Sequence, residues 1–396
     1  MFLEIILAIL LGVASGIFTG LIPGVHINLV AALILSITFL SNLDPTNLIT
    51  FIVAMSITHT ILDSIPSIYL GAPDADQVLS VLPGHKLLLK GRGHEAIVLT
   101  IIGSLFAVII SVLLSPTVFI LVSSFYTKIK AAIPFLLILT LIFLILKDKT
   151  SKFVSFIIVL LAGSLGFSTL NLENDQILFP LFSGLFGTST LIVSLNNKTK
   201  IPKQIISFPK LKMKKLLSTL SFGFFAGLLT GTLPGLGAAQ AATMVESINK
   251  IKNKYYLVLT GSLNTFVMIF SFITLYSIDR ARNGSVIAIS KIVESFTFSN
   301  LILALAVALT TAGIATILAL KISKKFSILL SKINYKKISI IIIIFITALT
   351  FYLTSFIGLL ILLTSTFLGI YVNLRGIARS HLMAVLIIPV IFYLIL

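Results

Sequence analysis

Residues 12–34 read GVASGIFTGLIPGVHINLVAALI, and residues 223–245 read GFFAGLLTGTLPGLGAAQAATMV. The two stretches align without a gap at an offset of 211, and seven of their 23 positions are identical. In both copies glycine recurs at every fourth position, which lets a neighbouring helix approach closely. Each copy then runs into Pro-Gly, which removes an amide donor and interrupts the helix. The pattern predicts two related apolar helices that break at the same point.

The composition indicates that lipid is the solvent for most of the chain. Of the 396 residues, 58% are hydrophobic and 10% are charged, whereas soluble domains carry about 25% charged residues. Apolar runs long enough to cross a bilayer recur from end to end, and those near 338–353 and 355–373 are interpreted as separate segments. The sequence therefore predicts an all-α, polytopic transmembrane helical bundle of about 10–14 membrane segments.

Basic residues are concentrated between the apolar runs and give a formal net charge of +17. If fourteen segments cross, most Lys and Arg fall on one side, as the positive-inside rule requires. The Lys-rich loops are therefore predicted to be cytoplasmic, in a multi-pass protein of the cell (plasma) membrane. No basic stripe is interleaved with aromatic residues, so nucleic acid is not an expected partner.

The repeat divides the chain into two membrane halves. The predicted units are a first membrane repeat over 1–196, a Lys-rich cytoplasmic linker over 197–215 and a second membrane repeat over 216–396. With seven crossings in each half, the second half is inverted relative to the first. Two alternatives remain for the Pro-Gly segments, which either span the membrane as broken helices or re-enter as hairpins.

Matched breaks in two halves are typical of a transporter binding site, because broken backbone in a membrane must line protein or a water-filled cavity. A half-helix that starts after each break offers free amides and a positive dipole end to an anionic group. Asn264 is added because it occupies roughly the place of His59 in the second half, at an offset of 205. Ordinary helix packing and capping are the alternative. The candidate substrate-binding residues are Thr19, Pro23, Gly24, His26, Asn28, Thr230, Pro234, Gly235, Gly237, Gln240 and Asn264.

Ionisable residues at membrane depth form a second candidate set. Asp63 follows His59 by four residues, so both lie on one helical face, where imidazole and carboxylate can pair. Asp74 and Asp76 follow two helix-breaking prolines. Because intramembrane carboxylates are costly and mark function, His59, Asp63, Asp74 and Asp76 are the candidate ion-coupling residues. A structural His–Asp pair with an interfacial acidic loop is the alternative.

These features predict a secondary active transporter for a small anionic organic solute, coupled to Na⁺ or H⁺ by alternating access. No HExxH, GxxxxGK[ST] or GxSxG motif occurs, so enzymatic activity is not favoured. With no Cys and five His, no metal site and no cofactor are expected beyond the coupling ion. The alternatives are an intramembrane enzyme acting on a lipid-linked substrate, and a channel or scaffold. The expected partners are the lipid bilayer and the solute, and homo-oligomerisation is left open.

The motif GxxTGxxPG in both copies resembles the large membrane subunit of the tripartite tricarboxylate transporters, the TctA-type permease family. The stretch GAPDADQVLSVLPGHKLLLKGRGHEAI (71–97) is also similar to this family. The resemblance implies ion-driven uptake of carboxylates, with a small membrane subunit and an extracytoplasmic binding protein as partners. The chain is shorter than typical members and looks like a compact archaeal-type branch, for which action without the two partners is the alternative. The residues that carry the similarity in 71–97 are Pro73, Asp74, Pro83, Gly84, Leu87 and Gly91.

Overall fold

The structure is a computed structural model. It describes residues 2–22, 44–70, 81–129, 132–148, 150–172, 176–196, 202–232, 237–249, 251, 253–330 and 335–395. Within these ranges all regular structure is helical. Seven helices are long and apolar enough to cross a membrane, and four shorter apolar helices accompany them. The predicted polytopic helical bundle is confirmed.

The helices fall on either side of the segment 202–212, which contains none. Before it come α1 (Phe2–Leu21), α2 (Pro45–Leu62), α3 (Ser64–Leu70), α4 (Val81–Leu88), α5 (Gly93–Leu113), α6 (Ser115–Ile129), α7 (Ile133–Lys147), α8 (Lys152–Leu170), α9 (Leu178–Phe182), a π-helix (Ser183–Thr188) and α10 (Ser189–Asn196). After it come α11 (Met213–Thr232), α12 (Ala238–Asn249), α13 (Asn253–Ile278), α14 (Gly284–Ile292), α15 (Phe298–Leu330), α16 (Tyr335–Arg375), a 3₁₀ helix (Arg379–Met383) and α17 (Ala384–Ile395).

The glycine stripes of the repeat are the contact faces of two helix pairs. An added Cβ at Gly16 would lie 2.6 Å from the carbonyl oxygen of Met55, so α1 can lie directly on α2. In the same way a Cβ at Gly227 would lie 2.6 Å from the Cβ of Phe266, and α11 lies on α13. Residues 55 and 266 are separated by the same 211 positions as the two glycines. The repeat therefore extends into the partner helices.

The two helix pairs run in opposite directions. Tyr69, in α3 just beyond α2, places its hydroxyl 3.1 Å from the Ser323 hydroxyl. The Ser323 hydroxyl also lies 3.0 Å from Nδ1 of His94 at the start of α5. The next residue, Glu95, forms an ion pair of 2.8 Å with Lys254 at the start of α13. The end of the α2–α3 segment is thus the end at which α13 begins.

Buried apolar side chains form two main cores. One lies around α2, α5, α13 and α15, and we call these helices with α1, α3, α4, α6, α11 and α14 the first body. The other lies around α8, the π-helix and α17, with parts of α7 and α16, and we call α7 to α10, α16, the 3₁₀ helix and α17 the second body. Each body draws helices from both sides of residues 202–212. The predicted units 1–196, 197–215 and 216–396 stay a prediction.

The 41-residue α16 bends sharply at Ser355, where φ is 53° and ψ is −151°. Ile346 comes within 4.0 Å of a Cβ built at Gly187, and the Leu362 carbonyl oxygen within 2.8 Å of one at Gly184. Sixteen residues of straight helix would separate Ile346 and Leu362 by about 24 Å, yet both reach the same short π-helix. The chain therefore folds back at Ser355, which confirms the two separate segments expected near 338–353 and 355–373.

Candidate functional site

Four predicted site residues meet inside the first body. Nδ1 of His59 on α2 lies 3.1 Å from the hydroxyl of Thr19 on α1. Asn264 on α13 donates from Nδ2 to Oδ2 of Asp63, which directly follows α2, at 2.5 Å. All four side chains are buried. A carboxylate from the first half and an amide from the second thus form one contact within helices that are long enough to span a membrane.

Hydroxyl groups extend this site toward α5. The Thr265 and Thr60 hydroxyls lie 3.5 Å apart, at the long limit of a hydrogen bond. Thr100 on α5 donates to the Ser64 hydroxyl at 2.9 Å. Sequence alone gives no signal for Ser64 and Thr100, because a Ser or Thr in an apolar helix can bond a carbonyl of its own helix. We call the whole set the polar cluster, which consists of Thr19, His59, Thr60, Asp63, Ser64, Thr100, Asn264 and Thr265.

The break between α2 and α3 positions Asp63. Pro66 has no amide hydrogen and so cannot bond the carbonyl of Leu62, the last residue of α2. The amide of Asp63 bonds the carbonyl of His59 at 2.9 Å, and Ser67 donates to the Asp63 carbonyl at 2.7 Å. The carboxylate is therefore held at a helix end, where it faces α13.

Of the other predicted residues, the structure describes Thr230 and Gly237 and the backbone of Gln240. Thr230 is buried, but its hydroxyl bonds the carbonyls of Ala226 and Gly227 in its own helix. The carbonyl of Gly237 accepts from Ala241 at the start of α12. Gln240 lies in α12, and its side chain is outside the described part of the chain. The predicted residues outside the described ranges are Pro23, Gly24, His26, Asn28, Asp74, Asp76, Pro234 and Gly235.

The equivalence of Asn264 with His59 is wrong. A Cβ at Gly20 would lie 3.4 Å from the Cα of His59, and one at Gly231 would lie 2.9 Å from the Cβ of Phe270. The offset of 211 therefore persists through α2 and α13 with no gap, and His59 corresponds to Phe270. Because the partner of His59 in the repeat is apolar, the polar cluster is asymmetric.

A second ionic group lies at the end where α5 and α13 begin. Glu95 pairs with Arg92 at 2.5 Å and with Lys254 at 2.8 Å, although its own side chain is only 2% exposed. Ser207, from the segment between the halves, lies 3.4 Å from the same carboxylate. Three parts of the chain thus meet at one buried charge. Sequence spacing gives no signal for the pair of Glu95 with Lys254, because these residues are 159 positions apart.

Replacing Glu95 with Gln is expected to destabilise the fold by about 1–3 kcal/mol, since it leaves two cations without their shared carboxylate. Thermal unfolding in detergent would measure the loss. The exposed Glu4, replaced in the same way, is the matched control and should leave the melting temperature unchanged. Equal melting temperatures for E95Q and the unmodified chain would contradict this role of Glu95.

Asp148 organises the junction between α7 and α8. Burial raises the pKa of its carboxyl, but hydrogen bonds from the amides of Thr150, Ala378 and Ser151 and the charge of His381 outweigh burial, so the pKa lies below its usual value. A carboxyl whose pKa is lower in the folded state stabilises the protein above its unfolded pKa of about 3.9. That contribution is lost as the pH falls further, through the folded pKa.

We expect Asp148→Asn to lower the melting temperature at pH 7. The difference between the two proteins should shrink below about pH 4, where the native carboxyl protonates as well. Melting curves from about pH 3 to about pH 8, a range that spans the carboxyl titration, would measure it. A difference that stays constant down to the acid limit would show that Asp148 does not act through its charge.

Among the described residues, no three His, Cys, Asp or Glu side chains gather into a group that could hold a metal ion. The fold and the polar cluster together define a multi-pass membrane protein of the transport class, because buried ionisable groups between membrane helices mark solute and ion paths.

Comparison with known proteins gives the family. Residues 6–384 match the model of the tripartite tricarboxylate transporter TctA family. The chain belongs to this family, as its motifs indicated. It is similar to an uncharacterized protein of Methanocaldococcus jannaschii, with 33% identity over 399 residues that cover 98% of each chain. No solved structure matches. The chain is therefore a compact member of a transporter family.

Proposed function

We propose that the chain is a secondary active transporter for a small carboxylate-type anion, coupled to Na⁺ or H⁺ by alternating access. The observation that carries this proposal is the buried contact between Asp63 and Asn264. The negative charge of Asp63 is energetically unfavourable in a low-dielectric interior. Binding of H⁺ or Na⁺ at Asp63 removes that cost, so the carboxylate links ion occupancy to the packing of α2 against α13.

The arrangement of α1 with α2 and of α11 with α13 supports two inverted repeats, over 1–196 and 216–396. The two pairs share the glycine contacts at one offset, and they run in opposite directions. In such an architecture one body moves against the other while the site stays between the repeats. The Pro-Gly breaks that follow α1 and α11 supply backbone amides for the anion in this proposal.

Residues His59 and Asp63, with Asp74 and Asp76, are proposed to bind the coupling ion. The substrate-binding role is assigned to Thr19, Asn264 and the residues of the two Pro-Gly segments. The His59 imidazole, held by Thr19, can accept or donate a proton beside Asp63. Apart from the coupling ion, the proposed mechanism uses no metal or organic cofactor.

The cell membrane is the proposed location, with the Lys-rich loops in the cytoplasm. The family is that of the large membrane component of a three-part system, so a small membrane subunit and an extracytoplasmic binding protein are proposed partners. The relative of nearly equal length supports a compact form, which can be assayed alone.

Uptake into proteoliposomes tests the proposal. Purified chain would be reconstituted, and labelled acetate, succinate and citrate would be offered under an imposed Na⁺ or pH gradient. Accumulation above the equilibrium level of at least one carboxylate is expected. Carboxylate flux that does not depend on the imposed gradient would identify a channel. Turnover of a lipid substrate without flux would identify an enzyme. Either result would overturn the proposal.

A further inference from the structure

Arg379 lies in the 3₁₀ helix of the second body and is held by neutral partners. Its Nε donates to Oδ1 of Asn373 at 2.7 Å, and its Nη1 donates to the hydroxyl of Thr190 at 2.9 Å. Its guanidinium forms no ion pair with any carboxylate of the described residues. The carboxylate of Asp148 is close in the fold, but it is engaged by the amide of Ala378 and by His381.

Some donors around Arg379 have no acceptor. Because Oδ1 of Asn373 accepts from Arg379, the amide nitrogen Nδ2 points away, and it is buried without a hydrogen-bond partner. The hydroxyl of Thr190 donates to the carbonyl of Phe186 while accepting from Arg379. Nη2 of Arg379 and Nδ2 of Asn373 therefore offer N–H groups that nothing in the described chain accepts. An anionic acceptor would satisfy these donors.

The backbone turn that builds this set is specific. The amides of Gly376 and Ile377 bond the carbonyls of Asn373 and Val372, each at 3.2 Å. This pair of bonds ends α16 in a Schellman motif, which needs the left-handed conformation of Gly376 at φ +67°. The turn brings Arg379 back against Asn373, so the local fold itself makes the two side chains converge.

The charge of Arg379 is felt by His85 on α4 of the first body. Burial lowers the pKa of the His85 imidazole, and the nearby charge of Arg379 lowers it further, although the Ile68 carbonyl acts in the opposite direction. Nδ1 of His85 on α4 lies 3.5 Å from that carbonyl. Ile68 follows Asp63 by five residues, which is about 7.5 Å along a helix axis. The charge of Arg379 thus acts on a residue of the first body.

We propose that Arg379 and Asn373 bind a carboxylate group of the transported solute. A guanidinium with two free N–H groups and an adjacent amide matches the two oxygens of a carboxylate. This inference rests on the proposed transport function, and it adds a specificity site in the second body.

Binding of carboxylates to the purified chain in detergent tests the site without transport. Titration with acetate, succinate and citrate, followed by calorimetry or thermal shift, should give saturable binding of at least one of them. Arg379→Gln is expected to weaken that binding by about 10- to 100-fold, since a charged hydrogen bond is lost. The matched control is Arg375→Gln. Arg375 is exposed and stacks over the Tyr371 ring at 5.4 Å, so its loss should leave binding unchanged.

A second variant distinguishes loss of carboxylate binding from a folding defect. Asn373→Asp places a carboxylate beside Arg379 and satisfies the site internally, so the melting temperature should hold while carboxylate binding is lost. Unchanged binding in either N373D or R379Q would overturn the inference. Binding of inorganic phosphate or of phosphatidylglycerol in nanodiscs, without competition from carboxylates, would identify a lipid headgroup site and would also overturn it.

The two proposals can fail separately. If R379Q loses binding but no gradient drives uptake into proteoliposomes, the anion site stands and the transport mechanism fails. If uptake is driven by a gradient but is unchanged in R379Q, the transport mechanism stands and this site fails.

Discussion

Replacing Asp63 with Asn should reduce gradient-driven uptake at least about 100-fold, because a buried carboxylate that binds the coupling ion contributes about 3 kcal/mol. The fold should survive the change. The amide introduced by D63N would keep an acceptor oxygen for the Nδ2 group of Asn264, which is now bonded to Asp63 at 2.5 Å. The substitution therefore removes a charge and little else.

Initial rates in proteoliposomes, with and without the Na⁺ or pH gradient, would measure the effect. Glu246 is exposed on α12, and Glu246→Gln is the matched control that should retain full uptake. Melting temperatures of the two variants should agree with that of the unmodified chain. Full gradient-driven uptake by D63N would remove Asp63 from the coupling mechanism.

We expect the largest effect on folding where α5 packs against α13. A Cβ at Gly103 on α5 would lie 2.1 Å from the carbonyl oxygen of Val258 on α13. Because that atom belongs to the backbone of a packed helix, it cannot move aside as a flexible side chain could. Gly103→Ala should therefore destabilise the chain by about 3 kcal/mol or more.

Gly313 on α15 gives a matched control, because nothing lies within 4 Å of a Cβ built there. Gly313→Ala should leave stability unchanged or raise it by up to about 1 kcal/mol, since Ala favours the helix. Thermal unfolding of both variants in the same detergent would separate the two cases. Equal melting temperatures would mean that α5 and α13 do not meet as closely at Gly103 as the structure has them.

Much of the site followed from local patterns. The stripe that contains Gly16 and Gly227 required a close helix contact, whatever helix supplied it. Asp63 and His59 stood out because ionisable groups are rare in an apolar run, and Thr19 stood out through the repeat. These features depend on residue type and on short spacings, and a single amino-acid sequence shows both.

Other parts depended on long-range packing. Asn264 meets Asp63 across 201 positions, and Lys254 meets Glu95 across 159. Ser64 and Thr100 carry no charge and fit any membrane helix, so nothing in their neighbourhood marks them. Asn264 does not correspond to His59 because the unbroken glycine register, and not chemical similarity between polar residues, sets the alignment of the repeat.

The sequence by itself determined that most of this protein lies in lipid, that it is helical, that it contains a repeat and which family it belongs to. Each of these depends on composition or on spacing along the chain. Only the tertiary structure decided which helices touch, how the halves divide into two bodies, and that Arg379 lies against Asn373 with unused donors. A helix fixes which residues share a face, but the partner of that face is chosen by packing between segments far apart in the chain. For this reason the ion-coupling candidates came from the sequence, and the candidate anion site came from the fold.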